Sequence, residues 1–140
     1  MAEKIFIDTS AWLAYYLSND RNHLKIKKLL KGLIANKAII YTSNDVIDET
    51  ITRLIYTTHP RFVKKFVDLL KAGIKTGNLI ELWVDELLQQ EAFELAIKFS
   101  EHKLSLTDCT IIILVKRFNI NLLVSLDSDF KKVGVNVLPI

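Results

Sequence analysis

The sequence predicts an α/β fold, in which helices cover both faces of a central, mainly parallel sheet of about five strands. Two observations lead to this prediction. Short apolar runs alternate along the chain with longer segments of helical periodicity. In addition, half of the 140 residues are hydrophobic, as expected when a sheet is buried on both faces. The same surplus of apolar residues also fits a surface used for self-association.

The predicted strands and helices follow one another in a regular order. The strands are runs rich in Ile, Leu and Val at residues 5–7, 39–41, 79–84, 122–124 and 135–138. Apolar positions three and four residues apart predict helices at residues 10–17, 23–33, 44–57, 61–76, 85–101 and 106–118. Asp8, Thr9 and Ser10 are suitable N-caps for the first helix. Because two prolines and four glycines form no linker, we expect one domain over residues 1–140.

The composition argues against secretion and membrane insertion. Cys109 is the only cysteine, which excludes an internal disulfide and is typical of a reducing cytoplasm. The longest apolar run, residues 111–115, is far shorter than the roughly 20 residues that span a bilayer. The first residues also lack the apolar core of a signal peptide. We therefore expect a cytoplasmic protein without membrane contact.

The charge of the chain is only mildly basic. The formal value is +3, from 19 Lys and Arg against 16 Asp and Glu. If four or five acidic residues converge on one site, the remaining surface becomes clearly basic, as phosphate binding requires. Lysines and arginines cluster at residues 25–31 and 61–65, where they form either solvated helix faces or tracks for a nucleic-acid backbone.

Acidic residues follow two of the predicted strands. In a parallel α/β sheet, ligands gather beyond the carboxyl ends of the strands, near the point where strand order reverses. Asp8 directly follows the first strand, and Asp127 and Asp129 follow the fourth. Each position also has a purely structural interpretation. Asp8 is a favoured N-cap, and Asp-Ser-Asp is ordinary turn chemistry.

Two further acids lie on predicted helices. Asp108 shares its helical face with Ile111, Ile112 and Val115, where an ionised carboxylate is costly unless it is paired, capped or bound to metal. A capping box with Ser105 is the structural alternative. Glu49 projects away from the centre of the apolar stripe of its helix. Periodicity therefore does not separate it from a solvated surface acid, or from its neighbours Asp45 and Asp48.

If these acids share one cleft, their charges repel and raise each other's pKa values. A hard divalent cation removes this penalty, and an all-oxygen site of this kind suits Mg²⁺ or Mn²⁺. Such an ion binds phosphoryl oxygens and activates water. The chemistry indicated by the acids is phosphodiester hydrolysis.

Four short strings of residues carry these acids in order along nearly the whole chain. They are Phe6-Ile7-Asp8-Thr9-Ser10, Ser43-x-x-Val46-x-x-Glu49, Leu104-Ser105-Leu106-Thr107-Asp108 and Leu123-Val124-Ser125-Leu126-Asp127-Ser128-Asp129-Phe130. In this order and spacing the sequence resembles the PIN-domain nucleases, and particularly the small VapC-like toxins of prokaryotic toxin–antitoxin pairs. Ser125 stands where Thr is commoner in that family, and the hydroxyl is retained.

The resemblance implies a three-layer α/β/α sandwich and Mg²⁺- or Mn²⁺-dependent endonuclease cleavage of single-stranded RNA. It implies a catalytic metal cluster of Asp8, Glu49, Asp108 and Asp127, with Asp129 in support. Thr9 and Ser125 match hydroxyl positions that orient carboxylates or water. By the same analogy, an activated water leaves a 5′-phosphate and a 3′-hydroxyl. A homodimer restrained by a protein antitoxin is also implied, as the toxin of a type II system.

Other functions are less well supported. A nuclease-inactive or housekeeping PIN-like module is the main alternative, and retention of all four acids argues against the inactive form. A haloacid-dehalogenase phosphatase would have a second Asp where Ser10 stands, and a receiver would have a Lys near Ser125. The three histidines, His23, His59 and His102, lack ligand spacing, and we expect them on the surface, away from the acids. Cys109 and Trp12 are expected to pack in the interior or, for Trp12, at a dimer interface.

Overall fold

The computed structural model describes residues 2–139 and has one sheet of five parallel strands. The strands are β1 (Lys4–Ile7), β2 (Ile39–Ser43), β3 (Leu79–Leu82), β4 (Leu122–Val124) and β5 (Val137–Leu138). The α-helices are α1 (Thr9–Tyr16), α2 (His23–Ala35), α3 (Asn44–Thr57), α4 (Pro60–Thr76), α5 (Glu86–Lys98) and α6 (Leu106–Arg117). Two 3₁₀-helices cover Ser100–His102 and Ser128–Val133. The predicted α/β fold with a three-layer α/β/α arrangement is confirmed.

The order of the strands places one crevice at the centre of the sheet. The order is β3-β2-β1-β4-β5. β2 and β3 therefore lie on one side of β1, and β4 and β5 lie on the other. β1 pairs with both neighbours, and Ile7 lies beside Val124 at the carboxyl ends of β1 and β4. This reversal of strand order is the position at which open α/β sheets bind ligands.

Both central strands are buried, as their continuous apolar sequences predict. Ile5, Phe6 and Leu123 have no exposed surface. Trp12 belongs to the same core. Its indole Nε1 donates to Thr42 Oγ1 at 3.1 Å, and its ring meets Phe66 edge to face at 5.9 Å between centroids. This indole therefore packs in the interior, which is one of the two positions that its sequence context predicts.

Several predicted boundaries differ from the structure. β2 and α2 each extend two residues further than predicted, to Ser43 and Ala35, and β5 begins two residues late, at Val137. β3 ends at Leu82, two residues earlier than predicted. Beyond it, Val84 N donates to the side-chain oxygen of Asn44 at 2.7 Å, and this bond replaces a hydrogen bond between strands. The predicted fifth helix also stops early, at Lys98, and continues as the first 3₁₀-helix. Residues 128–133, where the sequence predicts no helix, form the second 3₁₀-helix. Within residues 2–139, no helix combines the length and apolarity that crossing a membrane requires.

Candidate active site

Asp8 lies at the end of β1, at the centre of the crevice. Its backbone N–H donates to Val124 O at 3.0 Å, which joins the ends of β1 and β4. Its side chain caps α1, with Oδ1 accepting from Thr9 N at 2.7 Å. Oδ2 accepts from Ser125 Oγ at 2.8 Å. Asp8 as a whole is 6 % exposed. It therefore caps α1 and also lies in the crevice.

The environment of Asp8 opposes its ionisation. Burial raises the pKa of Asp8 from 3.8 to about 6, because a charge is poorly solvated there. The hydrogen bonds from Ser125 and Thr9 favour the charged form and limit the rise in this pKa. The charges of Asp108 and Glu49 raise it further. Acids that lie 41 and 100 positions away in sequence therefore act on Asp8 in the folded chain.

Ser125 connects the first acid with the last. It follows β4, is 1 % exposed, and donates to Asp8 while accepting from Asp127 N at 3.0 Å. Ser10, which the sequence suggested only as a cap, contributes a second connection, because its Oγ accepts from Leu126 N at 3.0 Å. The two hydroxyls are 3.4 Å apart. Together they fix the β4 loop to the start of α1.

Asp108 opens α6 and takes part in the capping box that its sequence allowed. Its backbone N donates to Ser105 Oγ at 3.0 Å, and its Oδ2 accepts from Ser105 N at 3.0 Å. Burial raises the pKa of Asp108, the bonds with Ser105 lower it, and the charges of Asp127 and Glu49 add to the rise. Asp108 is therefore a cap and also a neighbour of two other acids. Neither observation excludes the other, since a carboxylate has about four acceptor sites.

Glu49 lies on α3 and is half-buried. Its charge contributes to the raised pKa values of both Asp8 and Asp108, so Glu49 lies near enough to act on both. Asp48 is exposed, and Asp45 has a pKa raised by burial and then by Asp48. Neither Asp45 nor Asp48 contributes to the shifts of Asp8 and Asp108. The fold thus distinguishes Glu49 from its acidic neighbours, which helical periodicity alone did not.

Asp127 and Asp129 differ in their surroundings. Asp127 caps the second 3₁₀-helix by accepting from Asp129 N at 2.9 Å, and its charge acts on Asp108. Asp129 forms an ion pair with Lys132 at 2.9 Å, and this pair holds the pKa of Asp129 below its ordinary value. Asp127 therefore belongs with the cluster, whereas the charge of Asp129 is already balanced by a lysine. We call Asp8, Glu49, Asp108 and Asp127 the acid cluster.

No member of the acid cluster forms a salt bridge in the described part of the chain. The salt bridges there join Lys64 to Asp68, Arg117 to Glu91 and Lys132 to Asp129. Lys132 also acts on Asp127 through its charge, at the edge of the cluster, but no lysine or arginine is among the groups that shift Asp8 or Asp108. No positively charged side chain of residues 2–139 therefore offsets the repulsion at Asp8 or Asp108, and within the cluster Lys132 acts only on Asp127.

The carboxylate oxygens of the acid cluster suit a divalent ion, although the side chains stand too far apart to coordinate one in their present positions. All donors in the acid cluster are carboxylate oxygens, the ligands that Mg²⁺ and Mn²⁺ prefer. In addition, Thr9 Oγ1 is buried beside Asp8 and has no hydrogen-bond partner within residues 2–139, an arrangement that costs roughly 1–3 kcal/mol unless a water or ligand bonds to it. Over the same residues, no three His, Cys, Asp or Glu groups lie close enough to hold one ion as they stand.

The histidines and the cysteine offer no alternative centre. His59 caps α4 and His23 contacts a backbone carbonyl of α1. His102 departs from the expectation that all three lie away from the acids, because its charge contributes to the lowered pKa of Asp129. Cys109 is fully buried, and burial followed by the charge of Asp108 raises the pKa of its thiol. A raised pKa disfavours the thiolate, so Cys109 is a packing residue.

Comparison with known sequences finds two kinds of match. A family model, the PIN domain, matches residues 5–136. The 23S rRNA-specific endonuclease VapC20 of Mycobacterium tuberculosis is 28% identical over 137 residues, which cover 96% of this chain and 98% of VapC20.

Solved structures give a similar result. The crystal structure of M. tuberculosis VapC20, described as a sarcin-ricin loop cleaving toxin, aligns with a TM-score of 0.78 at 27% identity, covering 94% of this chain and 95% of that one. A toxin–antitoxin complex from Klebsiella pneumoniae aligns with a TM-score of 0.63 at 16% identity. FitAcB from Neisseria gonorrhoeae gives 0.64 at 15%. The alignments to these last two cover 96% of both chains and show that the fold is shared.

Proposed function

The chain belongs to the PIN-domain family, and we propose that it is a metal-dependent endoribonuclease that hydrolyses phosphodiester bonds of single-stranded RNA. We further propose that residues 1–140 form one nuclease domain and that it acts as the toxin of a type II toxin–antitoxin pair. The observation that carries the proposal is the convergence of the acid cluster. Its four carboxylates come from four separate segments and act on one another through their charges.

The acid cluster would hold Mg²⁺ or Mn²⁺ through Asp8, Glu49, Asp108 and Asp127. Each carboxylate with a described hydrogen bond retains further acceptor sites, and an ion would draw the side chains inward from their positions here. When bound, a divalent ion supplies charge for a phosphoryl oxygen and lowers the pKa of an attacking water. Asp129 forms an ion pair with Lys132 and would support the site indirectly. Its backbone N–H donates a hydrogen bond to Oδ1 of Asp127.

The other residues of the site position these carboxylates. Ser125 holds Asp8 through Oδ2 while it accepts from Asp127 N, so one hydroxyl sets the spacing of two acids. Thr9 fixes Oδ1 of Asp8 through its backbone N–H. The resemblance to PIN-domain nucleases assigns its hydroxyl, which is buried without a partner within residues 2–139, to orienting a carboxylate or a water. Ser10 holds the β4 loop against α1. Groups fixed before the substrate arrives need no reorganisation during the reaction.

The relatives suggest a substrate class and a protein partner. VapC20 is described as specific for 23S rRNA, and a solved structure with the same fold is a toxin–antitoxin complex. Ribosomal RNA is therefore the first substrate to test, and a protein antitoxin the first partner to seek.

We also propose that the chain forms a homodimer through the outer face of α5. Leu87 is 77% and Ile97 70% exposed on this helix, and Trp83, just before it, is 67% exposed. Exposed apolar side chains along one helix are typical of association surfaces. Light scattering should give a dimer for the wild type and a monomer for Leu87→Glu/Ile97→Glu. Leu24→Glu, an equally exposed position on α2, should remain dimeric, and a dimeric double variant would disprove this interface.

RNA cleavage tests the nuclease proposal directly. The wild type should cut single-stranded RNA with Mn²⁺ and stop cutting in EDTA. Asp8→Asn, Asp108→Asn and Glu49→Gln should each lose activity, because each removes a charge that the ion requires. Asp48→Asn is the matched control, since Asp48 lies next to Glu49 but is exposed and outside the acid cluster. If the cluster variants cut as fast as the wild type, the assignment is wrong. RNA binding without cleavage by the wild type would favour an inactive RNA-binding module.

A further inference from the structure

A small cavity adjoins the acid cluster on the side of β5. It has a volume of about 180 Å³, room for several water molecules and therefore for one phosphate group. Its lining includes Ser125 and Asp127 from the loop after β4, Ser128 and Lys131 from the second 3₁₀-helix, and Lys25 from α2. Since Asp127 lines the cavity and also belongs to the acid cluster, the two sites share a wall.

The two lysines reach this cavity from distant parts of the chain. Lys25 and Lys131 are separated by more than 100 positions in sequence, yet both line the same space. Within residues 2–139 neither takes part in a salt bridge, whereas the adjacent Lys132 is paired with Asp129. Lys25 and Lys131 are therefore the lysines of this wall whose charges no salt bridge of residues 2–139 takes up.

We infer that this cavity is a subsite for a backbone phosphate of the RNA, one that flanks the phosphate held at the acid cluster. This inference rests on the proposed nuclease function. Lysine binds phosphate as a point charge, and the hydroxyl of Ser128 is an additional donor on the same wall. The carboxylate of Asp127 repels an anion, and the two ammonium groups outnumber it. Lys25 and Lys131 are positioning residues that set where the strand crosses the acid cluster.

The other lysines of α2 do not line this cavity. Lys27 lies two positions from Lys25, which on a helix is close to the opposite face. Lys75 is in the last turn of α4, just before β3 starts, and so lies at the amino edge of the sheet, away from the acids. Lys27→Ala/Lys75→Ala removes the same two charges as Lys25→Ala/Lys131→Ala and is its matched control.

The salt dependence of RNA binding tests the subsite without requiring cleavage. The affinity for a short fluorescein-labelled single-stranded RNA is measured by anisotropy in EDTA, over roughly 50 to 200 mM salt. Each phosphate contact contributes about 0.7 to the slope of log affinity against log salt for single strands. Lys25→Ala/Lys131→Ala removes the one phosphate contact of this subsite and should lower that slope by about 0.7, so the wild type should lose about 2.6-fold more affinity than this variant over the range. Lys25→Arg/Lys131→Arg should retain the wild-type slope.

The outcomes separate this subsite from the nuclease function itself. A slope that is unchanged in Lys25→Ala/Lys131→Ala, or lowered equally in the control, overturns the subsite, because the effect is then absent or one of general charge. In that case the wild type would still cleave RNA with Mn²⁺. A wild type that neither binds nor cleaves RNA would instead remove the proposed function, and the subsite with it.

Discussion

Replacing Asp8 with Asn should stabilise the metal-free protein while abolishing its activity. The pKa of Asp8 is raised from 3.8 to about 6 in the folded chain, chiefly by burial. Ionised Asp8 therefore costs folding free energy at neutral pH. Asn has nearly the same shape and carries no charge, so it relieves this cost. It also removes a charge that a divalent ion needs.

The magnitude follows from the shift in pKa. One pKa unit corresponds to about 1.4 kcal/mol, so a rise of about two units makes ionisation cost up to about 3 kcal/mol. Asn keeps the bond from Thr9 N but cannot accept from Ser125 through its amide nitrogen, which reduces the gain. We expect Asp8→Asn to raise the free energy of unfolding by about 1–3 kcal/mol.

The effect should depend on pH in one direction. Because the folded-state pKa is raised, the cost is complete above about pH 6 and declines as the pH falls and the folded protein takes up a proton. Below about pH 4, Asp8 is protonated in both folded and unfolded states, so the difference between wild type and variant should vanish. Comparing the two proteins at each pH cancels the contribution of the other titrating groups.

Urea unfolding in EDTA across this pH range is the appropriate assay. Asp129→Asn is the control, because the pKa of Asp129 is lowered by Lys132 and its substitution should not stabilise the protein. Adding Mn²⁺ should raise the stability of the wild type and not of Asp8→Asn. If Asp8→Asn is less stable than the wild type at neutral pH in EDTA, burial of the charge is not the dominant effect and the reasoning is refuted.

Three further predictions concern the residues around the acid cluster. Ser125→Ala removes a hydrogen bond that lowers the pKa of Asp8, so the acidic limb of the pH–activity profile should move to higher pH, whereas Ser125→Thr should leave it in place; an unmoved limb in Ser125→Ala would contradict this role. Ser105→Ala breaks the capping box of α6 and should cost about 1 kcal/mol in urea unfolding, with little change if the start of α6 is held by packing alone. Cys109 is buried with a raised pKa, so a thiol reagent should modify it only after unfolding, and rapid reaction of the native protein would show that the start of α6 opens.

The order of the elements could be derived from the sequence because it depends on local patterns. Short apolar runs and helical spacing set the strands and helices, and alternation of the two implies parallel pairing. The same logic placed Asp8 and Asp127 together, since both directly follow strands and parallel strands end at one edge of a sheet. The capping box of Ser105 and Asp108 could also be predicted, because it is defined by a spacing of three residues.

Tertiary structure decided the features that depend on which faces meet. Glu49 could not be separated from Asp45 and Asp48 by periodicity, since none of the three belongs to the apolar stripe. Only the packing of α3 brings the charge of Glu49 near enough to act on Asp8. Fold geometry also gave Ser10 its role in holding the β4 loop. Likewise, the pairing of Asp129 with Lys132 depends on a 3₁₀-helix that the sequence did not predict.

The cavity shared by Lys25 and Lys131 is the clearest case of this kind. Each lysine by itself resembles an ordinary solvated charge. Sequence patterns are local and report which residues share one helix or strand, whereas the meeting of α2 with the β4 loop depends on packing between elements far apart in the chain. The sequence alone therefore determined the fold class and which acids lie at the carboxyl edge of the sheet. Only the folded chain determined which side chains face one another across the crevice.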